Sequence, residues 1–233
     1  MLVHCSTQHP SEMQHLVAHA LNLHAHHVQV ECRRMGGGFG GKESQSALFA
    51  CVAAVAAARL KQPVKLRLDR DDDFLITGRR HCFWYEYEVG HDDDGRILGD
   101  EVTMVSRAGH SADLSGPVMT RALCHIDNAY WIPVVRLAGR VARTHQASST
   151  AFRGFGGPQL YFGLERTMAI AARRLGLDPA ELARRNLIPS DAMPYRTPSG
   201  ALYDSGDYAA CLDHALELAD YDELRGRVGK ACA

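Results

Sequence analysis

Two glycine-rich turns, far apart in the chain, limit what this sequence can fold into more than any other feature. The first runs Arg34-Met35-Gly36-Gly37-Gly38-Phe39-Gly40-Gly41-Lys42-Glu43, the second Ala151-Phe152-Arg153-Gly154-Phe155-Gly156-Gly157-Pro158-Gln159. Consecutive glycines lose much chain entropy on folding, so they mark backbone that takes φ > 0 or approaches something closely. Each turn also carries phenylalanine amid its glycines and a charged residue beside them. The pair suggests backbone amides and rings converging on a planar, anionic ligand.

The first turn imitates two nucleotide motifs and satisfies neither. Gly36, Gly38 and Gly41 have G-x-G-x-x-G spacing, between a strand-like Val28–Cys32 and a helix-like Ser44–Leu60. A dinucleotide site also needs an acid for the ribose about twenty residues on. Ala53 to Ala58 supplies none, and the first acid after Glu43 is Asp69. Gly36 to Lys42 fits G-x-x-x-x-G-K, but Glu43 stands where a hydroxyl should hold Mg²⁺, and its charge would repel phosphates. A tight turn without ligand accounts for one or two glycines, hardly for five around Phe39.

With 233 residues the chain can bury a full core. A net charge of −1 gives no reason to expect a nucleic-acid or membrane-surface partner. The start shows no basic region followed by an apolar run, and the longest apolar stretch, Ala47 to Ala58, is too short to span a bilayer. Seven scattered cysteines, without a CxxC, show neither a disulfide framework nor a cluster ligand set, and a reducing, cytoplasmic setting is expected. His15 and His19 stand at i, i+4, but the glutamate of H-E-x-x-H is missing, so solvated helix histidines are the reading there and for His24, His26 and His27.

The elements alternate. Strands are expected at Val3–Ser6, Val28–Cys32, Val64–Leu68 and Val134–Thr144, with a hairpin of Cys82–Val89 and Ile97–Ala108 around Asp92-Asp93-Asp94-Gly95. Helices are expected at Pro10–Leu23, Ser44–Leu60, Gln159–Leu175, Asp178–Asn186 and Asp207–Ala219, and a short one near Met119–His125 inside an irregular segment. Asp71-Asp72-Asp73 and Asp92-Asp93-Asp94 lack Ca²⁺-loop spacing and read as solvated turns. Ser190 to Asp204 reads as a loop. The class is α+β, mixed sheets with packed helices. One partial domain is expected over 1–233: a first lobe to about 145, then the second glycine turn and a helical segment from about 146.

The two turns resemble the signatures of the molybdenum-binding part of xanthine dehydrogenase and its relatives, the molybdenum hydroxylases. Ser6-Thr7-Gln8, Asp69-Arg70, Ile76-Thr77-Gly78-Arg79-Arg80-His81, Arg121-Ala122-Leu123 and Asp127-Asn128 fall in the family's order and spacing, so the resemblance covers nearly the whole chain. It implies a molybdenum–molybdopterin cofactor bordered by Gln8, Gly38, Phe39, Gly40, Arg153 and Gly154. Gln8 resembles the glutamine that hydrogen-bonds an oxo ligand of the metal. Phe39 and Arg153 offer backbone beside the metal centre. Phe155 resembles the ring that stacks on a flat heterocycle, which gives area and orientation without register. Glu43 and Arg121 resemble the polar pair that orients a purine, the guanidinium also countering charge that develops on the ring. Relatives acting on aldehydes generally carry apolar residues there, and an apolar pocket would be penalised by two unpaired charges. For Arg121 an ion pair with Asp113 or Asp127 stands as the plain alternative.

The implied reaction is hydroxylation of hypoxanthine or xanthine with oxygen from water, electrons leaving through iron–sulfur clusters and FAD to NAD. No catalytic base is assigned within the chain, since the family's glutamate lies in a later segment beyond Ala233. The chain is therefore expected to be a piece of a longer subunit, inactive alone, in a hetero-oligomer whose 2Fe-2S clusters and FAD come from other subunits or regions. Turnover of an aldehyde or another N-heterocycle, and an inactive structural piece, remain the alternatives.

Overall fold

The computed structural model of the protein describes residues 1–231, with Cys232 outside them. The chain passes back and forth between two compact units, one of residues 1–84, 104–122 and 139–159, the other of residues 85–103, 123–138 and, among those described, 160–231.

In the first unit, β1 (Leu2–His4) pairs in parallel with β2 (Gln29–Glu31), Val3 opposite Val30. Between them runs α1 (Pro10–Ala20), whose proline sits at the first turn where its missing N–H costs nothing. Its Met13, Val17 and Ala18 pack with Val28 and with Ala47, Ala50 and Ala54 of α2 (Gln45–Leu60) in one buried cluster. The alanine face of α2 lets the two helices approach closely, at little cost in side-chain entropy.

Val64–Leu68 is not a strand. Val64, Lys65 and Leu66 line an apolar groove of about 810 Å³ together with residues of β1 and Ala50, Ala53, Ala54 and Ala57 of α2. Its local alternation suits a strand, but no ladder partner adjoins it among the described residues. Beyond it, Asp71–Asp73 form the first turn of a helix, α3 (Arg70–Ile76), rather than a loop. The Asp69 carboxylate caps it by accepting from the Asp72 N–H at 2.8 Å.

β3 (Phe83–His91), β4 (Ile97–Gly109) and β5 (Val135–Arg143) form a three-stranded sheet in that order. The expected turn joins β3 to β4: Asp92 Oδ1 accepts from the N–H groups of Asp94 and Arg96, and Gly95 supplies φ +82°. The short helix of the irregular segment is α4 (Ser115–Cys124), starting earlier than expected.

The second unit holds a core of Ile97, Tyr130, Ile132, Leu164, Met168, Ala172 and Leu182. Leu164, Met168 and Ala172 recur every fourth residue along α5 (Gly157–Leu175), as the sequence pattern requires. Asp178 caps α6 (Pro179–Asn186) through the N–H groups of Ala180 and Glu181. Buried Asn186 ties this helix to the β-turn, its Oδ1 accepting from Ile97 N–H at 2.7 Å and its Nδ2 donating to Gly95 O at 2.9 Å. Within the expected loop, β6 (Tyr195–Arg196) and β7 (Leu202–Tyr203) make a small antiparallel pair, followed by α7 (Tyr208–Leu218) and α8 (Tyr221–Ala231).

Candidate cofactor cradle

The first glycine turn is closed by its own lysine. Lys42 Nζ donates to Met35 O at 2.7 Å and to Ser6 Oγ at 2.9 Å, so the ammonium that a phosphate loop would offer its ligand is spent across the neck of the turn. Inside this closure sits Gln8. Its Oε1 accepts from the N–H of Gly40 at 2.9 Å and of Lys42 at 3.2 Å, and its backbone N–H donates to Lys42 O at 2.9 Å. With the carbonyl end held by two backbone donors, the amide nitrogen is the end Gln8 has to offer.

Gly38 is required by that arrangement, because a Cβ there would stand 2.5 Å from Gln8 Cδ. Gly40, at φ +89°, backs onto the second turn, where a Cβ would meet the Ala151 backbone at 3.0 Å. Phe39 between them takes φ +52°, a rare conformation for a bulky residue, and is itself 63% exposed. Strain of this kind persists only where the surroundings over-determine it.

The two turns meet through their backbones: Arg153 N–H donates to Phe39 O at 2.9 Å. Arg80 reinforces the second turn from the side, its Nη2 donating to Arg153 O at 2.6 Å and its guanidinium lying 4.6 Å from the Phe152 ring centre. Gly154 takes φ +91° with Pro158 behind it, Phe155 takes φ +48°, and Gly156 follows at φ +100°. A Cβ on Gly156 would lie 2.3 Å from Val118 O and 3.1 Å from Ala122 N. The turn thus rests on the backbone of α4 on either side of Arg121, setting Phe155 beside the helix that carries it.

Gln8, Gly38, Phe39, Gly40, Arg153 and Gly154 are brought together by these contacts, and Phe155 follows next in the second turn. Arg121 is exposed on α4 and pairs with neither Asp113 nor Asp127. The carboxylate of Asp113 is engaged elsewhere, and Asp127 is fully buried, its carboxyl pushed up by burial. Glu43 closes the first turn, its N–H donating to Gly40 O at 3.4 Å, with a half-buried side chain. No bond joins Glu43 to Arg121 among the described residues.

The sequence assigned no role to Arg80, gave Lys42 only a place in a phosphate-loop match that the turn does not satisfy, and offered Asp113 only as a partner for Arg121. The run Arg79-Arg80-His81 was a signal for the first, but nothing in it pointed to Phe152. His81, next along, is buried with Nε2 2.7 Å from Ser115 Oγ, and burial holds its pKa below the ordinary value.

The donor set is neutral backbone and amide N–H, with exposed rings and positive-φ glycines, and it fits a flat, oxygen-rich, anionic group better than a bare cation. Among the described residues no cluster of three or more His, Cys, Asp or Glu is placed to hold a metal ion.

Compared with known proteins, the chain matches the family described as the molybdopterin cofactor-binding domain over residues 1–187. It is 44% identical over 230 residues to xanthine dehydrogenase of Drosophila subobscura, covering 97% of this chain and 17% of that protein. It is 40% identical over 229 residues to nicotinate hydroxylase hnxS of Emericella nidulans, covering 98% of this chain and again 17% of the relative. Its fold is similar to quinoline 2-oxidoreductase from Pseudomonas putida 86, with a TM-score of 0.88 and 26% identity over 99% of this chain and 30% of that one. CO dehydrogenase from Oligotropha carboxidovorans follows at 0.85 and 29%, over 96% of this chain and 28% of that one.

Proposed function

Because the chain belongs to the molybdopterin cofactor-binding domain family, we propose that it serves a molybdenum hydroxylase by holding the molybdenum–pterin cofactor against a purine. The observation that carries this reading is the joined pair of turns, with Phe39 O bound to Arg153 N–H and Gln8 clamped by its carbonyl end. Gln8, Gly38, Phe39, Gly40, Arg153 and Gly154 are the residues we assign to the cofactor. When bound, the group supplies the oxygen transfer to an electron-poor ring carbon and takes up the electron pair of the bond replaced.

The chain's own residues bind and orient. Gln8, unable to turn without breaking two bonds, directs its Nε2–H groups at an acceptor. Phe155 gives the ring of a heterocycle a face to lie on. Arg121, exposed and free of any carboxylate partner among the described residues, is available to a ring that gains negative charge. Glu43 sets register by hydrogen bonding to a ring nitrogen. Iron–sulfur and flavin groups on other subunits or regions, with NAD as acceptor, complete the proposed route for electrons, in a reducing, cytoplasmic setting.

A second reading has its own support. The 40% identity to a nicotinate hydroxylase is close to the 44% for xanthine dehydrogenase, so a pyridine carboxylate is the rival substrate class, and Arg121 suits its charge as well. The test is dye reduction by the native assembly containing this chain, driven by xanthine, hypoxanthine, nicotinate or an aromatic aldehyde. Purine-driven reduction that disappears in Arg121→Met is expected. Reduction by nicotinate alone transfers the pocket to the rival, and by aldehyde alone rejects the roles of Glu43 and Arg121.

A further inference from the structure

One carboxylate outside the cradle touches the chain on both sides of it. Asp113 Oδ2 accepts from Ser44 Oγ at 2.7 Å and from Gln45 Nε2 at 2.8 Å. Its Oδ1 accepts from Thr150 Oγ1 at 3.0 Å and from Leu114 N–H at 2.7 Å. Ser44 and Gln45 follow the last residue of the first glycine turn, and Thr150 precedes the first residue of the second. Gln45 extends the net: its Oε1 accepts the Gly78 N–H at 2.6 Å, and a Cβ on Gly78 would collide with Ser148 O at 2.4 Å.

We propose that Asp113 is a positioning residue that holds the two glycine turns in one register, and through them, on the reading given above, the cofactor. One feature favours this over an ordinary buried-edge hydrogen bond. Ser44 stands at the N-cap of α2 but makes no side-chain cap, its hydroxyl going to Asp113 instead. A serine there usually serves its own helix, so the local bond is forgone for the long-range one. Asp113 itself is held at φ +43°, in the left-handed region that, glycine apart, Asp and Asn enter most readily.

The four bonds also explain why an acid is needed. A carboxylate offers only acceptors, about four lone-pair sites, and here four donors take them. Asparagine in its place fails in either orientation. With its Nδ2 towards Leu114 it faces a backbone N–H that cannot reverse. With Nδ2 towards Gln45 it faces an amide that cannot flip, since flipping would strand the Gly78 N–H. Adding Gln45→Glu to Asp113→Asn removes that second conflict. A carboxylate at position 45 can accept both from the Gly78 N–H and from the new amide at position 113.

The test compares Asp113→Asn with the double variant Asp113→Asn, Gln45→Glu in the intact protein. Amide hydrogen exchange is followed at residues 36–43 and 151–157. Losing one bond of this class should raise exchange in both turns together, by roughly tenfold, while the double variant restores it. Exchange that rises only beside residue 113, in one turn alone, or without rescue overturns the proposal. If Asp113→Asn does not fold, Thr150→Val and Ser44→Ala each cut one arm, and a rise confined to the arm cut, with the other turn silent, overturns it equally. Molybdenum content per chain and the split between KM and kcat are read beside exchange. Looser turns with undiminished molybdenum would leave the register role standing and count against the cradle as a cofactor site. Lower molybdenum that the double variant recovers supports both.

Discussion

At Gly38 and Gly156 the absence of a side chain is required by different neighbours, and the two should fail differently. The Cβ of a Gly38→Ala variant would meet the Gln8 side chain, 2.5 Å from Cδ and 2.6 Å from Oε1. Gln8 can move, but only by releasing the N–H groups of Gly40 and Lys42. The expected cost is about 1–2 kcal/mol, the worth of hydrogen bonds left unmade at a partly buried site. At Gly156 the neighbour is the Val118 carbonyl, 2.3 Å away in the backbone of α4, and φ is +100°. Nothing there gives way cheaply, so Gly156→Ala should cost more, on the order of 3 kcal/mol. Urea midpoints of the two variants check the order, and equal losses would contradict this account. The glycines announced close approach in the sequence. What each approaches was not legible, because Gln8 and Val118 are set against them only by folding.

Element by element, the sequence signalled what local chemistry decides. Asp178-Pro179 opened α6, and the Asp92–Gly95 turn joined β3 to β4 as its residues indicate. Val64–Leu68 had the alternation of a strand and lacked a neighbour to pair with, which no local pattern reveals. Asp71–Asp73 misled in the opposite sense. A run of acids looks like a solvated turn, yet acids are favourable in the first turn of a helix, and Asp69 three residues before Asp72 was the cap. Removing that cap with Asp69→Ala should cost about 1 kcal/mol, seen as faster amide exchange along Arg70–Ile76. In α4, by contrast, Gly116 lies in open space with ordinary φ, so Gly116→Ala should raise stability by about 0.5 kcal/mol through helix propensity alone. A loss there would show that the helix needs its glycine for something other than its backbone.

For the molecule as a whole, two buried titratable groups, one in each unit, should shape stability against pH in opposite directions. Asp100 is 6% exposed with neither carboxylate oxygen hydrogen-bonded, and burial pushes its pKa up to about 7. Raised in the fold, it contributes most below the ordinary carboxylate range and loses that contribution as pH rises through about 7. His81 is held below its ordinary 6.5, so its contribution is present above that value and is lost as pH falls below it. The wild-type chain should therefore give up stability on both limbs. Asp100→Asn should be more stable than wild type by on the order of 4 kcal/mol near pH 8, the gap closing towards about pH 4. His81→Gln, which keeps a polar partner for Ser115, should flatten the acid limb and leave the upper one unchanged. Urea midpoints measured from about pH 4 to 8.5 separate the two. A constant gap between Asp100→Asn and wild type across that range would mean that Asp100 carries its charge in the fold. Neither group was legible as buried in the sequence, where Asp100 is one acid in an alternating strand and His81 the end of a basic run. Burial of both depends on packing between segments far apart in the chain, which is also why the joining of the glycine turns had to be seen in the structure.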